Sequence, residues 1–386
     1  MTNNINKFIA SDKPIVLHLC HGYESPFTEC ARHYVTLFKE SDYRVLTVFI
    51  VGKPSQDVAN YVGGDEVIFL NFKSKDLRGL KLRVLLKLRR LLKDLPLAFC
   101  IAHRSKPTWL ACLITQVPVI SIHHAFGDYR RPLKRLIINC FRKRLMMIGV
   151  SKAVEKDLRS FFPNWPEQRI ATIHNRIDYK SLFNSQYCRE EARSQLGLAE
   201  DDWLFATAGR LHPMKDQQTL IQAFAKAHKS LKLNSKLLIL GKGKLEQSLK
   251  KLARDLGVSE KVLFLGFIPE ANRYFKAFDC FILSSNDEPF GMVLLEAMTA
   301  GIPVISSESG GSIEVIGEIG KSFPVGCSDK LASLMLEQQK SPTDGHLFMR
   351  SHDHLKQHFS DKAARETFWQ LPGIQKLLHE TKPAGN

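Results

Sequence analysis

No apolar run in the 386-residue sequence approaches the roughly 20 residues that span a bilayer, so a membrane-crossing helix is not expected. The opening MTNNINKFIASDKP lacks the apolar core of a signal peptide. The eight cysteines (20, 30, 100, 112, 140, 188, 280, 327) include no CxxC pair. Most of them lie inside apolar segments, which reads as small buried thiols rather than a disulfide framework. There is no DxD motif, and no His/Cys group has metal-ligand spacing, so neither a metal nor another cofactor is expected. A cytoplasmic location fits these absences. RNA-recognition aromatics, zinc fingers and a basic reader helix are also missing, which argues against a nucleic-acid partner.

Acid is scarce as well, and unevenly so. The net charge is +16. Residues 1–175 hold 28 Lys+Arg against 14 Asp+Glu, a balance of +14; residues 176–386 hold 27 against 25, a balance of +2. Only the first half therefore calls for an anionic partner.

What is present is a repeated alternation of short apolar runs and helical patterns. PIVLHL, YRVLTVFIV, EVIFLNF, LAFCIAH, VPVISIH and LMMIGV read as buried strands of the first half. WLFATAG, KLLILG, KVLFLG, CFILSS and PVISS read as strands of the second. Strands alternating with helices imply parallel βαβ units. The fold class is α/β, with two facing Rossmann-like, doubly wound domains, 1–180 and 181–355, and an interdomain cleft. The polar tail is helical, and a helix at about 360–380 is expected to return to the first domain. Ligands of such sheets lie at the carboxyl ends of the strands.

Two motifs sit at such ends. In NDEPFGMVLLEAMTAGIPVISS a turn follows the strand CFILSS, and a helix runs from near Phe290 to Gly301. The backbone N–H groups of Phe290, Gly291 and Met292 would face an anion there. Glu288 and Glu296 would accept hydrogen bonds from hydroxyls, which together suits a nucleotide sugar. In TAGRLHPMKD, Gly209 and Arg210 end a strand and Lys215 follows near a helix start. Two cations at an exposed sheet edge suit a diphosphate.

GRLHPMKD, LGFIPE and EPFGMVLLEAMTAGIPVISSESGGSIEVI together resemble the donor half of retaining glycosyltransferases of family 4, which have the GT-B fold. The likeness is strong over roughly residues 200–325, moderate at GVSKAVEKDL and IHNRID, and weak over the first 150. It implies that Arg210 and Lys215 grip the diphosphate and that Glu288 lies beside the donor sugar. It also implies that Glu296 holds the ribose, that the backbone around Phe267 and Ile268 faces the base, and that His123 lies near the sugar. Many relatives have Gly-Gly in the first loop, where HGYESPFTE offers only Gly22 as a substrate-binding glycine. Asn175-Arg176 stands where Asn-Gly is usual, and His124 replaces a residue that is usually small or acidic.

The segment 73–94 carries nine Lys/Arg with apolar residues at helical spacing (77, 80, 84, 85, 88, 91, 92, 95), and 129–144 adds seven more cations. The apolar stripe is expected to face the domain's own sheet. The charged rim would rest on an anionic membrane. The resemblance and the charge together imply transfer of a hexose from a nucleotide sugar, UDP-linked, to a cell-envelope glycolipid such as lipopolysaccharide core. The enzyme would act at the cytoplasmic face of the inner membrane, peripherally and without a metal. Alternatives are a soluble transferase acting on a small sugar, a sugar phosphate or a lipid-linked exopolysaccharide precursor. A non-hydrolysing epimerase and a basic membrane- or nucleic-acid-binding module are others.

Overall fold

A computed structural model describes residues 13–24, 27–77, 81–341 and 345–379. It divides into two compact units. One comprises the chain up to Asn175 and again from Asp361; the other is Arg176–Ser360.

The first unit holds β1 (Ile15–Cys20), β2 (Arg44–Val51), β3 (Glu66–Phe72), β4 (Leu97–His103), β5 (Val119–His123), β6 (Leu145–Gly149) and β7 (Ile170–Thr172). They form one parallel sheet in the order β3-β2-β1-β4-β5-β6-β7. The second unit holds β8 (Trp203–Ala208), β9 (Ser235–Leu240), β10 (Val262–Gly266), β11 (Cys280–Leu283), β12 (Val304–Ser307) and β13 (Lys321–Phe323). Its order is β10-β9-β8-β11-β12-β13, again all parallel.

Helices cover both faces of a parallel sheet, so central strands read as unbroken apolar runs. Every residue of β1, β5 and β6 is buried accordingly. The edge strands β7 and β13, three residues each, are too short to show in the sequence pattern. In each sheet the strand order reverses beside the first strand, between β1 and β4 and between β8 and β11. Crevices at the carboxyl ends of strands open at such points.

The polar linker resolves into helices, and the tail returns to the first unit as expected. The strandless stretch after Arg176 forms helices Tyr179–Ser185 and Arg189–Leu196. Arg193 is fully buried there; it donates to the carbonyls of Ala277, Ala199 and Glu200 and pairs with Asp279 at 3.0 Å. The helices Asp361–Gln370 and Pro372–His379 complete the first unit. Phe368, Ile374 and Leu377 are buried, and the Trp369 indole donates to Leu37 O at 3.1 Å.

The basic stretch gives a helix, Leu82–Leu92, whose Val84, Leu88 and Leu92 are buried. The helix packs beside the helix Ser105–Ile114 and the segment Ser74–Leu77, so its buried stripe lies within its own unit. The stripe position Leu80 lies outside the described residues.

Candidate functional site

The reversal between β8 and β11 places two loops side by side. The first leaves β8 through Gly209 and Arg210 and turns into a short 3-10 segment, Pro213–Lys215. The second leaves β11 through Ser284–Glu288. They are stitched together by Asn286 N donating to Met214 O at 2.9 Å and Ser284 Oγ donating to Lys215 O at 3.0 Å. Lys215 and Glu288, 73 residues apart in sequence, thereby meet with Nζ 2.6 Å from Oε2. Ser285 Oγ donates to the same carboxylate oxygen at 3.0 Å, and Ser309 Oγ accepts from Glu288 N at 2.9 Å.

The Glu288 side chain is 8% exposed and that of Lys215 28%. Arg210 is exposed, and among the described residues it forms no ion pair. The sequence reading placed both cations on an exposed edge. That holds for Arg210 but not for Lys215, which the chain pulls inward onto a buried acid.

The neighbouring strand end contributes what sequence reasoning missed. β9 is followed by Gly241-Lys242-Gly243-Lys244, which brings two further exposed lysines to this edge. Its backbone lies so close to the first loop that a Cβ on Gly241 would stand 1.9 Å from Gly209 O, and one on Gly243 2.2 Å from Leu211 O. The signal was available in GKGK directly after the apolar run. A second feature missed was the serine web: Ser307 Oγ donates to Ser285 O, and Ser312 Oγ to the carbonyls of Ser307 and Ser309.

The helix expected from Phe290 begins at Met292, two residues later. Gly291 is its N-cap at φ 99°, a left-handed backbone that favours glycine, and no side chain caps it. Phe290 turns into the core against Phe359. Glu296 is half-buried one turn into the helix. Phe267 is exposed and Ile268 half-buried in the loop after β10.

In the first unit, His123 ends β5 and is fully buried. Its Nε2 is 2.8 Å from Ser121 Oγ and its Nδ1 2.8 Å from Asp128 Oδ2. Burial alone would raise the Asp128 carboxyl; the His123 bond and the charges of His123, Lys134 and Arg104 outweigh it and hold the group below its usual range. Both His123 nitrogens are thus engaged within the protein, and a sugar would have to displace one partner. His124 is partly exposed, and burial beside Arg104 lowers its pKa to about 3. Gly22 lies between β1 and the next helix, where a Cβ would meet Val51 O at 3.3 Å. It lines a cavity of about 250 Å³ with His21, Tyr23, Phe27, Ser74 and Arg104. Ser25 and Pro26 of that loop lie outside the described residues. Arg176, where glycine is usual in the resemblance, is buried at 1% exposure.

Linear spacing shows no His/Cys metal motif, but the fold brings one group of such side chains together. His18, Cys20 and His103 offer ligand atoms all within 4.8 Å of one another. They lie on adjacent strands 85 residues apart, a proximity that linear spacing does not show.

Parallel sheets whose strand-order reversal carries an exposed arginine, a lysine and a buried carboxylate define a doubly wound α/β protein with a polar site at that reversal. Residues 188–337 match the model for glycosyl transferases group 1, and residues 30–181 that for glycosyltransferase family 4. The chain is 37% identical over 175 residues to an uncharacterized glycosyltransferase of Methanocaldococcus jannaschii, covering 44% of each chain. It is 33% identical over 183 residues to the lipopolysaccharide core biosynthesis glycosyltransferase LpsE of Rhizobium meliloti, covering 46% of this chain and 52% of that one. It thus aligns with about half the length of these curated relatives. The crystal structure of Anabaena HepE in complex with UDP and glucose superposes with a TM-score of 0.75 at 19% identity, over 95% of this chain and 100% of that one. The fold is GT-B, and each half of the chain matches a glycosyltransferase model, the first half that of family 4.

Proposed function

We propose that the protein is a retaining, metal-independent hexosyltransferase. It would move a sugar from a UDP-linked donor to a hydroxyl of a cell-envelope glycolipid such as lipopolysaccharide core. The observation that carries this reading is the convergence of Arg210, Lys215 and Glu288 on one strand-order reversal, with Lys215 and Glu288 2.6 Å apart. The similar Anabaena structure, solved with UDP and glucose, supports the choice of donor. The name of the Rhizobium relative supports the acceptor class.

In this reading Arg210 and Lys215 hold the diphosphate, and their fixed charge stabilises it as the sugar–phosphate bond breaks. Glu288 lies beside the sugar, Glu296 takes the ribose, and Gly291 and Met292 present backbone amides. Gly209 lets the chain turn beside the phosphates, Ile268 borders the base, and Gly22 lines the side of the first unit. The acceptor oxygen attacks the face that the diphosphate leaves, and a phosphate oxygen takes its proton. His123, held by Ser121 and Asp128, positions the strand end at which the sugar would lie.

The test is a thermal-shift screen of nucleotide sugars, followed by NMR of the product anomer. A UDP-hexose is expected to raise Tm, and the product to keep the donor's configuration. If no nucleotide sugar shifts Tm and no donor is hydrolysed, the reading fails.

The acceptor places the enzyme peripherally at the cytoplasmic face of an anionic membrane. Leu82 and Leu86 are 61% and 56% exposed among the cations of their helix. Leu133 and Leu136 are 67% and 65% exposed on the basic helix Pro132–Asn139. Exposed leucines among Lys and Arg suit an interface. Binding to anionic vesicles is expected to weaken as salt rises. Neutralising Arg83, Arg89, Arg90 and Lys93 together should weaken it further while donor binding is retained. Lys87 is left in place because its Nζ donates to Leu70 O at 3.0 Å. Equal binding to neutral and anionic vesicles would overturn the membrane assignment.

A further inference from the structure

His18 and Cys20 are two residues apart on β1, so they share one face of the sheet. β4 pairs alongside, with Leu19 opposite Ala102, and the next step brings Cys20 beside His103. His18 Nε2 is 2.8 Å from His103 Nε2 and 3.5 Å from Cys20 Sγ. The three side chains are 1%, 5% and 4% exposed in the order His18, His103, Cys20. The helix Phe27–Thr36 belongs to the same unit; its Tyr34 ring lies 4.8 Å from that of His103.

The outer nitrogens decide how this cluster is wired. His18 Nδ1 is 3.2 Å from Thr47 Oγ1, and His103 Nδ1 is 2.9 Å from His124 Nε2. If both Nδ1 atoms carry the proton and donate outward, both Nε2 lone pairs point into one space beside the Cys20 sulfur. Ligating histidines commonly donate their second N–H to a fixed acceptor in this way. Two lone pairs 2.8 Å apart repel unless an electrophile lies between them. A proton held in a direct His–His hydrogen bond would serve, and so would a metal ion. Imidazole and thiolate together select zinc-like ions over magnesium or calcium.

We propose that His18, Cys20 and His103 form a structural site for one Zn²⁺-class ion, clamping β1 to β4 where the sheet order reverses. On binding, the Cys20 thiol gives its proton to solvent and the sulfur bonds the metal. Two imidazoles on one tetrahedral zinc have their nitrogens roughly 3.3 Å apart, so the rings open by about 0.5 Å. The three side chains fill three of the four tetrahedral positions, and the fourth is left to a water molecule that enters with the ion. The site is separate from the sugar-transfer reading and stands or falls without it.

The test uses the full chain, reduced and stripped with chelator, with the exposed Cys140 and Cys188 changed to Ser to lower background. Titration with Co²⁺ is expected to give tetrahedral visible bands and a thiolate-to-metal charge-transfer band that saturate at about one equivalent. Excess Zn²⁺ is expected to raise Tm by roughly 5 °C or more. Cys20→Ser is expected to abolish the charge-transfer band. Since that change touches the core, the wild-type Co²⁺ spectrum is read first, independent of any variant. No thiolate band at excess Co²⁺ overturns the site in favour of the His–His hydrogen bond. A band that survives unchanged in Cys20→Ser overturns it too, by moving the metal elsewhere.

Discussion

Arg210→Ala and Lys215→Ala should each lower turnover by roughly 100-fold or more, the scale for losing one preorganised charge contact. Only Lys215→Ala should also lower Tm. Arg210 is exposed and its removal leaves nothing buried unpaired. Lys215 is the 2.6 Å partner of a carboxylate whose side chain is 8% exposed. Among the described residues, Glu288 then keeps only the Ser285 hydroxyl in its side-chain shell. A buried acceptor stripped of a charged partner costs about 2 kcal/mol, or roughly 5 °C for a unit of this size. Steady-state kinetics and calorimetric melting of the two variants check this together. Turnover within a factor of about three of wild type for both would remove the diphosphate assignment. Equal melting temperatures would mean that the Lys215–Glu288 pair contributes nothing to stability.

The two glutamates are expected to separate in kinetics. Glu296, half-buried on the helix after Gly291, is proposed to hold ribose, which changes little during transfer. Glu296→Gln should raise KM by about tenfold and leave kcat within roughly threefold. Glu288 is proposed to lie beside the sugar, which gains positive character as its bond to phosphate lengthens. Its charge is worth more in that transition state than in the ground state. Glu288→Gln keeps the shape and the acceptor for Ser285 but removes the charge. Its kcat should fall by roughly 100-fold or more with donor affinity nearly intact. Donor titration calorimetry beside kinetics decides the matter. The reverse pattern would exchange the two roles, and no effect from either would sink the donor-site reading.

The central strands were legible because parallel sheets bury both faces and leave unbroken apolar runs. The short edge strands β7 and β13 were not, since three residues carry no period. The Arg210, Lys215 and Glu288 motifs were legible as residue types at strand ends. That Lys215 is ion-paired was not, because its partner lies 73 residues away and only the strand order brings them together. The start of the helix after Glu288 was read two residues early. Pro289 and Phe290 suit a helix opening by type, whereas the positive φ of Gly291 sets the true cap. The histidine cluster escaped for the same reason as the ion pair. His18 and Cys20 look like isolated polar residues of a buried strand until His103 arrives beside them.

The return of the chain at Asp361 bears on synthesis. Residues 176–360 form one contiguous stretch and can complete their unit as soon as they leave the ribosome. The first unit, although begun earlier, lacks Phe368, Trp369, Ile374 and Leu377 until after that. Until then Phe38 and Tyr43, whose rings meet Trp369 at 5.8 Å, have no aromatic cover from that side. Domains commonly fold in order from the N-terminus. By the chain order alone the basic first unit closes last here, and a nascent chain halted before Asp361 is expected to present a finished second unit and a first one whose apolar face is still uncovered.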